Sequence, residues 1–321
     1  TRAAAKDTDL SALQAEGAGF IVLGGYEDSQ TYVPVFDGTN ETGSHITWNK
    51  SSWEYSPINY WLEGKTYKFV AYAPAKLQEG DLFDIDYAGN KLKMKDGGTF
   101  TADGETDLVV AEGKPQGYPV AAEPVQMETV GFKFYHALSK VKFTFINGWR
   151  NAVTLKITNI KLSNVKNTGS LTTSGTMAQG SDKIQLSAWS GQTGTADYED
   201  KADGMNTDEY EASYEFENFL LPTVLDDSQM KLTFTVQVTN SQGTSPDLGA
   251  GAGNPVNKEV VIPKDVVTEW MPGYAYNYKL TISGSTFGLK PIQFDDIDVD
   301  SEWGNGGEDD MDEGIEVVPG A

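Results

Sequence analysis

Apolar and polar residues alternate along several short segments of this chain, and this pattern predicts β-strands. The clearest case is residues 132–145, FKFYHALSKVKFTF, where the alternation continues on both sides of His-Ala-Leu-Ser-Lys. Successive side chains on a strand point to opposite faces, so we expect a half-buried strand over residues 130–146. Residues 153–162 alternate over a full strand length, and residues 66–72 do so up to Pro74.

Further alternating or apolar segments are separated by turn residues, which predicts many short strands. They are residues 20–23, 32–36, 82–87, 108–111, 183–186, 214–221, 231–239, 258–262 and 276–282. Only residues 3–14 suggest a helix, and their apolar stripe is weak. Strands without intervening helices favour an all-β protein made of antiparallel β-sandwiches. Residues 168–180 and 240–254 are rich in small residues and are expected to form long loops.

The length of 321 residues suffices for two domains, each with its own core. Residues 113–124 contain three prolines and two glycines, so we place a boundary near Pro124 and predict domains at 1–124 and 125–321. From about residue 304 the sequence becomes glycine-rich and acidic, and it then turns apolar at Ile315, Val317 and Val318. Such a tail is typical of a tether that becomes ordered on a partner.

Composition excludes several classes of function. The formal charge is −23, with 47 acidic and 24 basic residues, so binding to nucleic acid or to anionic lipid is not expected. The chain has no cysteine and therefore neither disulfides nor thiolate metal sites. No apolar run approaches the roughly 20 residues of a membrane helix. Membrane insertion of this chain is not expected.

Four segments together resemble the fimbrillin-like pilins that form the type V pili of Bacteroidia. They are residues 132–145, the aromatic-rich residues 48–74 that end in Ala-Tyr-Ala-Pro, GYAYNYKLTI at 273–282, and PIQFDDIDVDSEW at 291–303. They follow one another in the order of that family and span most of the chain. The resemblance implies two tandem β-sandwich domains of the transthyretin-like type.

The same resemblance implies a function in assembly. It suggests an extracellular pilus subunit, or a tip or accessory adhesin, that serves in colonisation or virulence and whose precursor is an outer-membrane lipoprotein. In that family a trypsin-like protease removes the first strand, and Arg2 lies where the cut would fall. A strand from a neighbouring subunit then fills the exposed groove, and Ile315, Val317 and Val318 are the candidate donor residues here. Alternatively, the start at Thr1, without a methionine, reflects simple truncation.

Candidate catalytic and metal sites fail on their spacing. Asp296, Asp298 and Asp300 match the first positions of a calcium loop, but Ser301 and Gly307 occupy positions that require glycine and glutamate. These aspartates are expected on a solvated strand edge. The only histidines, His45 and His136, lack ligand partners at zinc spacing, and nucleophile-elbow and phosphate-loop motifs are absent. We predict neither catalytic residues nor a cofactor, although a carboxylate pair of the glycosidase type stays open.

The aromatic segment allows an alternative function. A stacking surface for sugars could be formed by Trp48, Trp53, Tyr55, Tyr60 and Trp61, of which the three tryptophans are the candidate glycan contacts. The chain would then be a surface glycan-binding lipoprotein. The other interpretation is that these rings belong to the core of the first domain, because large aromatic side chains dominate sandwich interiors. Other pilus subunits, or a ligand on a host or bacterial surface, are the expected partners.

Overall fold

A computed structural model describes residues 7–36, 42–120, 129–150, 153–177, 183–202, 204–225, 230–285, 288–289, 296–300 and 315–317. The chain begins with a short helix, α1 Leu10–Leu13, and has 3₁₀ turns at Ala75–Gly80 and Leu186–Ala188. Within these residues, no helix has the length and apolar character needed to cross a bilayer.

Strands dominate throughout. Those that precede the predicted boundary are β1 Phe20–Asp28, β2 Thr31–Phe36, β3 Ser44–Trp48, β4 Trp53–Glu54, β5 Thr66–Ala73, β6 Phe83–Asp86, β7 Lys91–Met94, β8 Phe100–Thr101, β9 Val109–Glu112 and β10 Gln116–Gly117. Those that follow it are β11 Val130–Phe132, β12 Tyr135–His136, β13 Ser139–Asn147, β14 Val153–Val165, β15 Thr168–Leu171, β16 Trp189–Thr193, β17 Ala196–Glu199, β18 Met205–Thr207, β19 Ser213–Leu220, β20 Thr223–Val224, β21 Lys231–Asn240, β22 Val256–Val261, β23 Glu269–Trp270, β24 Ala275–Ile282, β25 Gly284–Ser285, β26 Gly288–Leu289, β27 Asp296–Asp300 and β28 Ile315–Val317. The prediction of an all-β fold is confirmed.

The first sheet has a buried core on each of its two faces. Its strands follow the order β12-β9-β5-β1-β3-β4, with β2 paired to β1 and β10 paired to β5. Phe20 and Val22 of β1 pack into the core on one face, and Ile21 and Leu23 pack into a different core on the other. Burial on both faces explains why β1 begins with an unbroken apolar run instead of an alternating one.

The motif HALSK carries the chain from one sheet to another. His136 ends β12, which pairs with β9 in the first sheet, whereas Ser139 begins β13 in a second sheet. At the crossing the Ala137 amide donates to the Leu108 carbonyl at 2.8 Å, and the Ser139 hydroxyl donates to the Met271 carbonyl at 2.8 Å. The single strand predicted over 130–146 is therefore wrong, because β11, β12 and β13 join three different sheets.

Two sheets form a sandwich after the crossing. One has the order β19-β13-β24-β27, and the other has the order β17-β14-β21-β22 with β18 paired to β14. Phe145 of β13 and Phe234 of β21 meet edge to face, with ring centroids 5.0 Å apart. Among the described strand pairs, β13 and β24 alone run parallel. The many residues between them allow the long return that a parallel pair needs.

Two local predictions are wrong. Residues 168–180 were expected to form a loop, but β15 occupies 168–171 and pairs with both β8 and β16. Residues 183–186 were expected to form a strand, but they form none, and a 3₁₀ turn begins at Leu186. For β15, a partner distant in sequence, β8, decides the conformation.

A shared cluster of buried residues spans the predicted boundary at Pro124. We use this name for the core on the Ile21 face of β1, which combines residues 21–110 with residues 135–221. Val110 and Phe83 represent the first group, and Leu138, Leu171 and Phe219 the second. The division at 1–124 and 125–321 remains a prediction.

The shared cluster predicts cooperative unfolding. A core built from both sides of residue 124 cannot be lost by one side alone without exposing the other. We therefore expect one denaturant transition, with coincident tryptophan fluorescence and far-ultraviolet circular dichroism. Leu171→Ala, at a fully buried position of the shared cluster, is expected to shift both probes equally. Two separated transitions, of which only one responds to this substitution, would contradict the prediction.

Candidate functional site

An apolar cleft with a cavity volume of about 20 Å³ lies on the Phe20 face of the first sheet. Strands β1, β2, β5 and β11 and the segment 55–61 form it. The lining residues are Val22, Val35, Phe36, Tyr55, Asn59, Tyr60, Trp61, Tyr67, Phe69, Val130 and Phe132. Nearly all of these side chains are apolar or aromatic, so the apolar cleft suits an apolar segment better than a sugar or an ion.

Aromatic rings hold the walls of the apolar cleft in place. The ring of Trp61 meets that of Tyr67 edge to face at 4.5 Å, and Phe36 contacts Tyr55 at 4.8 Å and Phe69 at 5.5 Å. Rings in edge-to-face contact stabilise each other beyond the area they bury. These ring contacts within the chain therefore fix the shape of the cleft walls.

Hydrogen bonds fasten the segment 55–61 over the sheet. The side-chain amide of Asn59 donates to the Val35 carbonyl at 3.0 Å, and the Leu62 amide donates to the Tyr67 hydroxyl at 2.8 Å. The Nε1 of Trp61 is buried and has no acceptor among the described residues. A backbone carbonyl that entered the apolar cleft could accept from it.

Large apolar side chains are exposed around the apolar cleft. Tyr60 is 74% exposed, Val120 is 76% exposed, and Ile58 and Leu62 are also exposed. Val120 lies beside the turn at Gly64, since a Cβ at Gly64 would come within 3.3 Å of its Cγ2. An apolar rim next to an apolar cleft is typical of a site that another polypeptide covers.

Strand β28 is the neighbour of β11, one of the strands that line the apolar cleft. It pairs antiparallel with β11, and Val317 stands opposite Val130, Glu316 opposite Gly131, and Ile315 opposite Phe132. The side chains of Val130 and Phe132 are buried in the core on this face. Residues directly opposite in an antiparallel pair belong to the same face of the sheet. Positions 315 and 317 therefore belong to the face that carries the apolar cleft.

The remaining sequence predictions are distributed as follows. Arg2 and Val318 lie outside the described residues. Trp53 is 6% exposed, and its ring contacts those of Phe20 at 5.1 Å and Trp48 at 5.3 Å. Trp48 and Trp61 are half-buried around the same core. Sugar binding by these three tryptophans stays a prediction.

A buried polar network surrounds the HALSK crossing. His136 Nδ1 lies 2.9 Å from Asp107 Oδ2, and both side chains are buried. Asp107 also accepts from Thr8, whose amide is 2.8 Å from Oδ2 and whose hydroxyl is 2.9 Å from the Asp107 carbonyl oxygen. Next to it, Lys140 Nζ lies 2.9 Å from Asp7 and 3.5 Å from Glu217. The N-terminal segment is thereby anchored where the first sheet meets the second.

Charge pairing sets the ionisation of this network. Burial disfavours the charged imidazole of His136, but the Asp107 carboxylate outweighs burial and raises the pKa of His136 above 6.5. Burial also opposes the charge of Lys140, and Glu217 together with Asp7 raises the pKa of Lys140 above its usual value. Burial in turn raises the pKa of Glu217, against the attraction of Lys140.

A second buried carboxylate joins the first sheet to residues 173–177. Glu112 of β9 accepts from the amides of Gly175 at 2.7 Å and Met177 at 2.8 Å, and it also accepts from the Thr173 hydroxyl. Thr173 Oγ1 accepts in turn from the Leu92 amide at 3.0 Å. Sequence analysis missed both Asp107 and Glu112, because no local pattern distinguishes them from the other 45 acidic residues.

Strand β27 places the aspartates of the rejected calcium loop at a sheet edge. It pairs with β24 as the last strand of its sheet, and Asp296, Asp298 and Asp300 are exposed. Lys279 Nζ lies 2.5 Å from Asp298 and 3.5 Å from Asp296. Within the described part of the chain, no cluster of three or more candidate ligands could hold a metal ion. The predicted solvated edge is confirmed for these aspartates.

Comparison with known proteins gives a family match over most of the chain. A family model described as fimbrillin-like matches residues 1–294. No curated protein matches the chain.

Several solved structures are similar over most of their length. A proposed cell adhesion protein of Bacteroides uniformis shows 17% identity and a TM-score of 0.43, over 92% of this chain and 93% of that one. Another from Bacteroides fragilis shows 14% identity and a TM-score of 0.44, over 94% and 90%. The fimbrial anchor protein Mfa2 of Porphyromonas gingivalis shows 11% identity and a TM-score of 0.32, over 93% and 90%.

Proposed function

Because this chain belongs to the fimbrillin-like family, we propose that it is a cell-surface pilus subunit, or a tip or accessory adhesin, that assembles with other subunits by strand exchange. The observation that carries the proposal is the apolar cleft beside β11, with its rim of exposed apolar side chains. An incoming strand would gain backbone hydrogen bonds at the sheet edge and bury apolar side chains in the apolar cleft.

The proposed function includes a proteolytic cut next to Arg2. Removal of a preceding strand would open the first sheet to a partner, while Asp7 and Thr8 would stay bound to Lys140 and Asp107. The anchored segment begins five residues after Arg2, so a cut at that site would leave the HALSK network intact. An outer-membrane lipoprotein precursor and an extracellular location after processing belong to the same proposal.

Assembly is expected to depend on the rim of the apolar cleft. Tyr60→Lys replaces an exposed ring that lines the apolar cleft with a charge, and a docked strand would have to desolvate that charge. Incorporation into surface filaments should therefore fall at least tenfold, which corresponds to about 1.4 kcal/mol of binding free energy. The measurement is the amount of this chain in filaments sheared from producing cells. Tyr210→Lys is the matched control, because Tyr210 is also exposed but lies outside the first sheet.

Two outcomes would oppose this proposal. Equal incorporation of the Tyr60→Lys variant and the wild-type chain would mean that the rim takes no part in assembly. Absence of the wild-type chain from sheared filaments would remove the subunit function itself. Secretion and circular dichroism of each variant verify that the substituted chains fold.

A further inference from the structure

We infer that β28 pairs with β11 of the same molecule in the isolated subunit, so that the subunit is closed by its own C-terminal strand until this strand is released. The inference rests on the proposed function, since it concerns how the apolar cleft is kept from partners. Its basis is the position of β28. This strand comes from the end of the chain, but it pairs with β11, whose side chains belong to the core on the Phe20 face of the first sheet.

The backbone of β28 occupies one edge of β11. Among the described residues, β28 is the sole strand partner of β11. Unpaired backbone groups beside a buried segment are costly, so β11 requires a partner on this edge. A strand from another subunit cannot add to the edge while β28 is there. The two strands compete for the same backbone donors and acceptors.

The length of the chain permits closure within one molecule. β27 ends at Asp300 in the sheet that contains β13 and β24, and β28 begins at Ile315, so fourteen residues, 301–314, connect them. Such a segment can extend over roughly 50 Å at most. That reach is comparable with the dimensions of a domain, whose radius of gyration is about 13 Å for 100 residues.

Tethering favours the internal strand over a free one. A segment joined to its site by a short linker is present at an effective concentration on the order of millimolar. A strand of equal intrinsic affinity on another molecule, at micromolar concentration, would therefore occupy β11 about a thousandfold less often. Release must come from a donor strand with more apolar residues than Ile315 and Val317, or from a chaperone-like partner that binds the tail.

The segment that connects β27 to β28 is strongly acidic. Glu308, Asp309, Asp310, Asp312 and Glu313 lie within the seven residues before Ile315. Five like charges in so short a segment repel one another, and salt weakens this repulsion. A basic surface on the next subunit would attract the connector and compete with closure.

The closed state can be trapped with a disulfide because the chain has no native cysteine. Gly131 and Glu316 stand directly opposite each other, and a Cβ at Gly131 would meet no atom within 4 Å. Opposed residues of an antiparallel pair have Cα atoms about 4.5–5.5 Å apart, within the range that a disulfide spans. The G131C/E316C variant of the full chain should therefore form an intramolecular disulfide at about 1 µM, far below the effective concentration of the tail.

A register control separates pairing from mere proximity. The G131C/E313C variant keeps the same tether and charge change but shifts the second cysteine by three positions. We expect it to oxidise at least tenfold more slowly than G131C/E316C, as followed on non-reducing gels and by intact-mass spectrometry. Equal rates would show that β28 has no fixed register on β11 and would overturn the inference.

Peptide binding gives a second measurement on the same variant. A peptide of residues 314–321 is titrated into oxidised and reduced G131C/E316C, and binding is followed by tryptophan fluorescence. The oxidised chain should not bind, and reduction should restore at least tenfold stronger binding. Binding to the oxidised chain with unchanged affinity would overturn the inference.

The outcomes also separate this inference from the proposed function. Disulfide-linked dimers as the main product at about 1 µM would show that β28 pairs between molecules, which overturns closure and supports strand exchange. A fast intramolecular disulfide together with full assembly of the Tyr60→Lys variant would support closure and remove the proposed assembly site.

Discussion

Substitution of His136 by glutamine is expected to lower the free energy of unfolding by about 3–5 kcal/mol at pH 6, and by less as the pH rises. The substitution removes one partner of a buried ion pair and leaves the Asp107 carboxylate without its cation. Chemical denaturation of the wild-type chain and the variant between pH 5.5 and 8.5 measures the difference.

The direction of the pH dependence follows from the raised pKa of His136. The folded protein binds the imidazole proton more tightly than the unfolded chain, whose pKa is near 6.5. The stabilisation is complete below pH 6.5, and it is lost as the pH rises through the higher folded pKa. Asp107, Asp7 and Lys140 are the charged groups that act on the ring, and the Asp107 attraction exceeds the Lys140 repulsion.

Thr8→Val is the matched control for this network. It removes the hydroxyl bond to the Asp107 carbonyl and keeps the amide bond to the carboxylate. We expect a loss of about 1 kcal/mol that is the same at every pH in this range. A constant difference between the wild-type chain and His136→Gln across the range would show that the imidazole is neutral in the folded protein.

Local patterns were sufficient for the strands whose faces differ in polarity. In β5, Tyr67, Phe69 and Ala71 share one face, as predicted from alternation, and Val70 and Tyr72 share the other. The same reasoning located β14, β21 and β24 within a few residues. Side-chain alternation is a property of each strand by itself, so it can be derived without knowing the strand's partner.

Pairing between distant strands could not be derived in this way. Alternation continues from Val130 to Ile146 because all three strands in this range need one apolar face, although they face different cores. Nothing local marks the change of sheet at HALSK. Similarly, the small residues of β15 indicate a loop, and its strand conformation depends on β8 and β16.

The candidate site was predicted only in part. The apolar residues near the C-terminus were identified as strand-forming, and Ile315 and Val317 lie in β28. The sequence pattern did not indicate that β28 would pair with β11 of the same chain. The apolar cleft combines residues from 22 to 132, and Tyr55, Tyr60 and Trp61 of its lining residues were singled out beforehand. Its shape depends on ring contacts that are set by the tertiary fold.

The two faces of the first sheet differ in how completely they are covered. Its shared cluster is fully covered by residues from both sides of position 124, whereas its other face carries the apolar cleft and the exposed rim. A subunit that exchanges strands on one face needs the opposite face to stay intact during the exchange. The buried carboxylate of Glu112 contributes to that requirement, because it links β9 to residues 173–177 across the shared cluster.

Glu112→Ala is therefore expected to lower the free energy of unfolding by about 3–5 kcal/mol, because hydrogen bonds to a charged group contribute about 1.5–3 kcal/mol each and buried donors left unpaired cost about as much. The Gly175 and Met177 amides would lose their acceptors. Urea denaturation at pH 7 measures the loss. Glu112→Gln retains one acceptor oxygen and the side-chain volume, so it should lose about half as much. A negligible loss for Glu112→Gln beside a full loss for Glu112→Ala would show that packing of the side chain, and not its carboxylate, holds residues 173–177 against the first sheet.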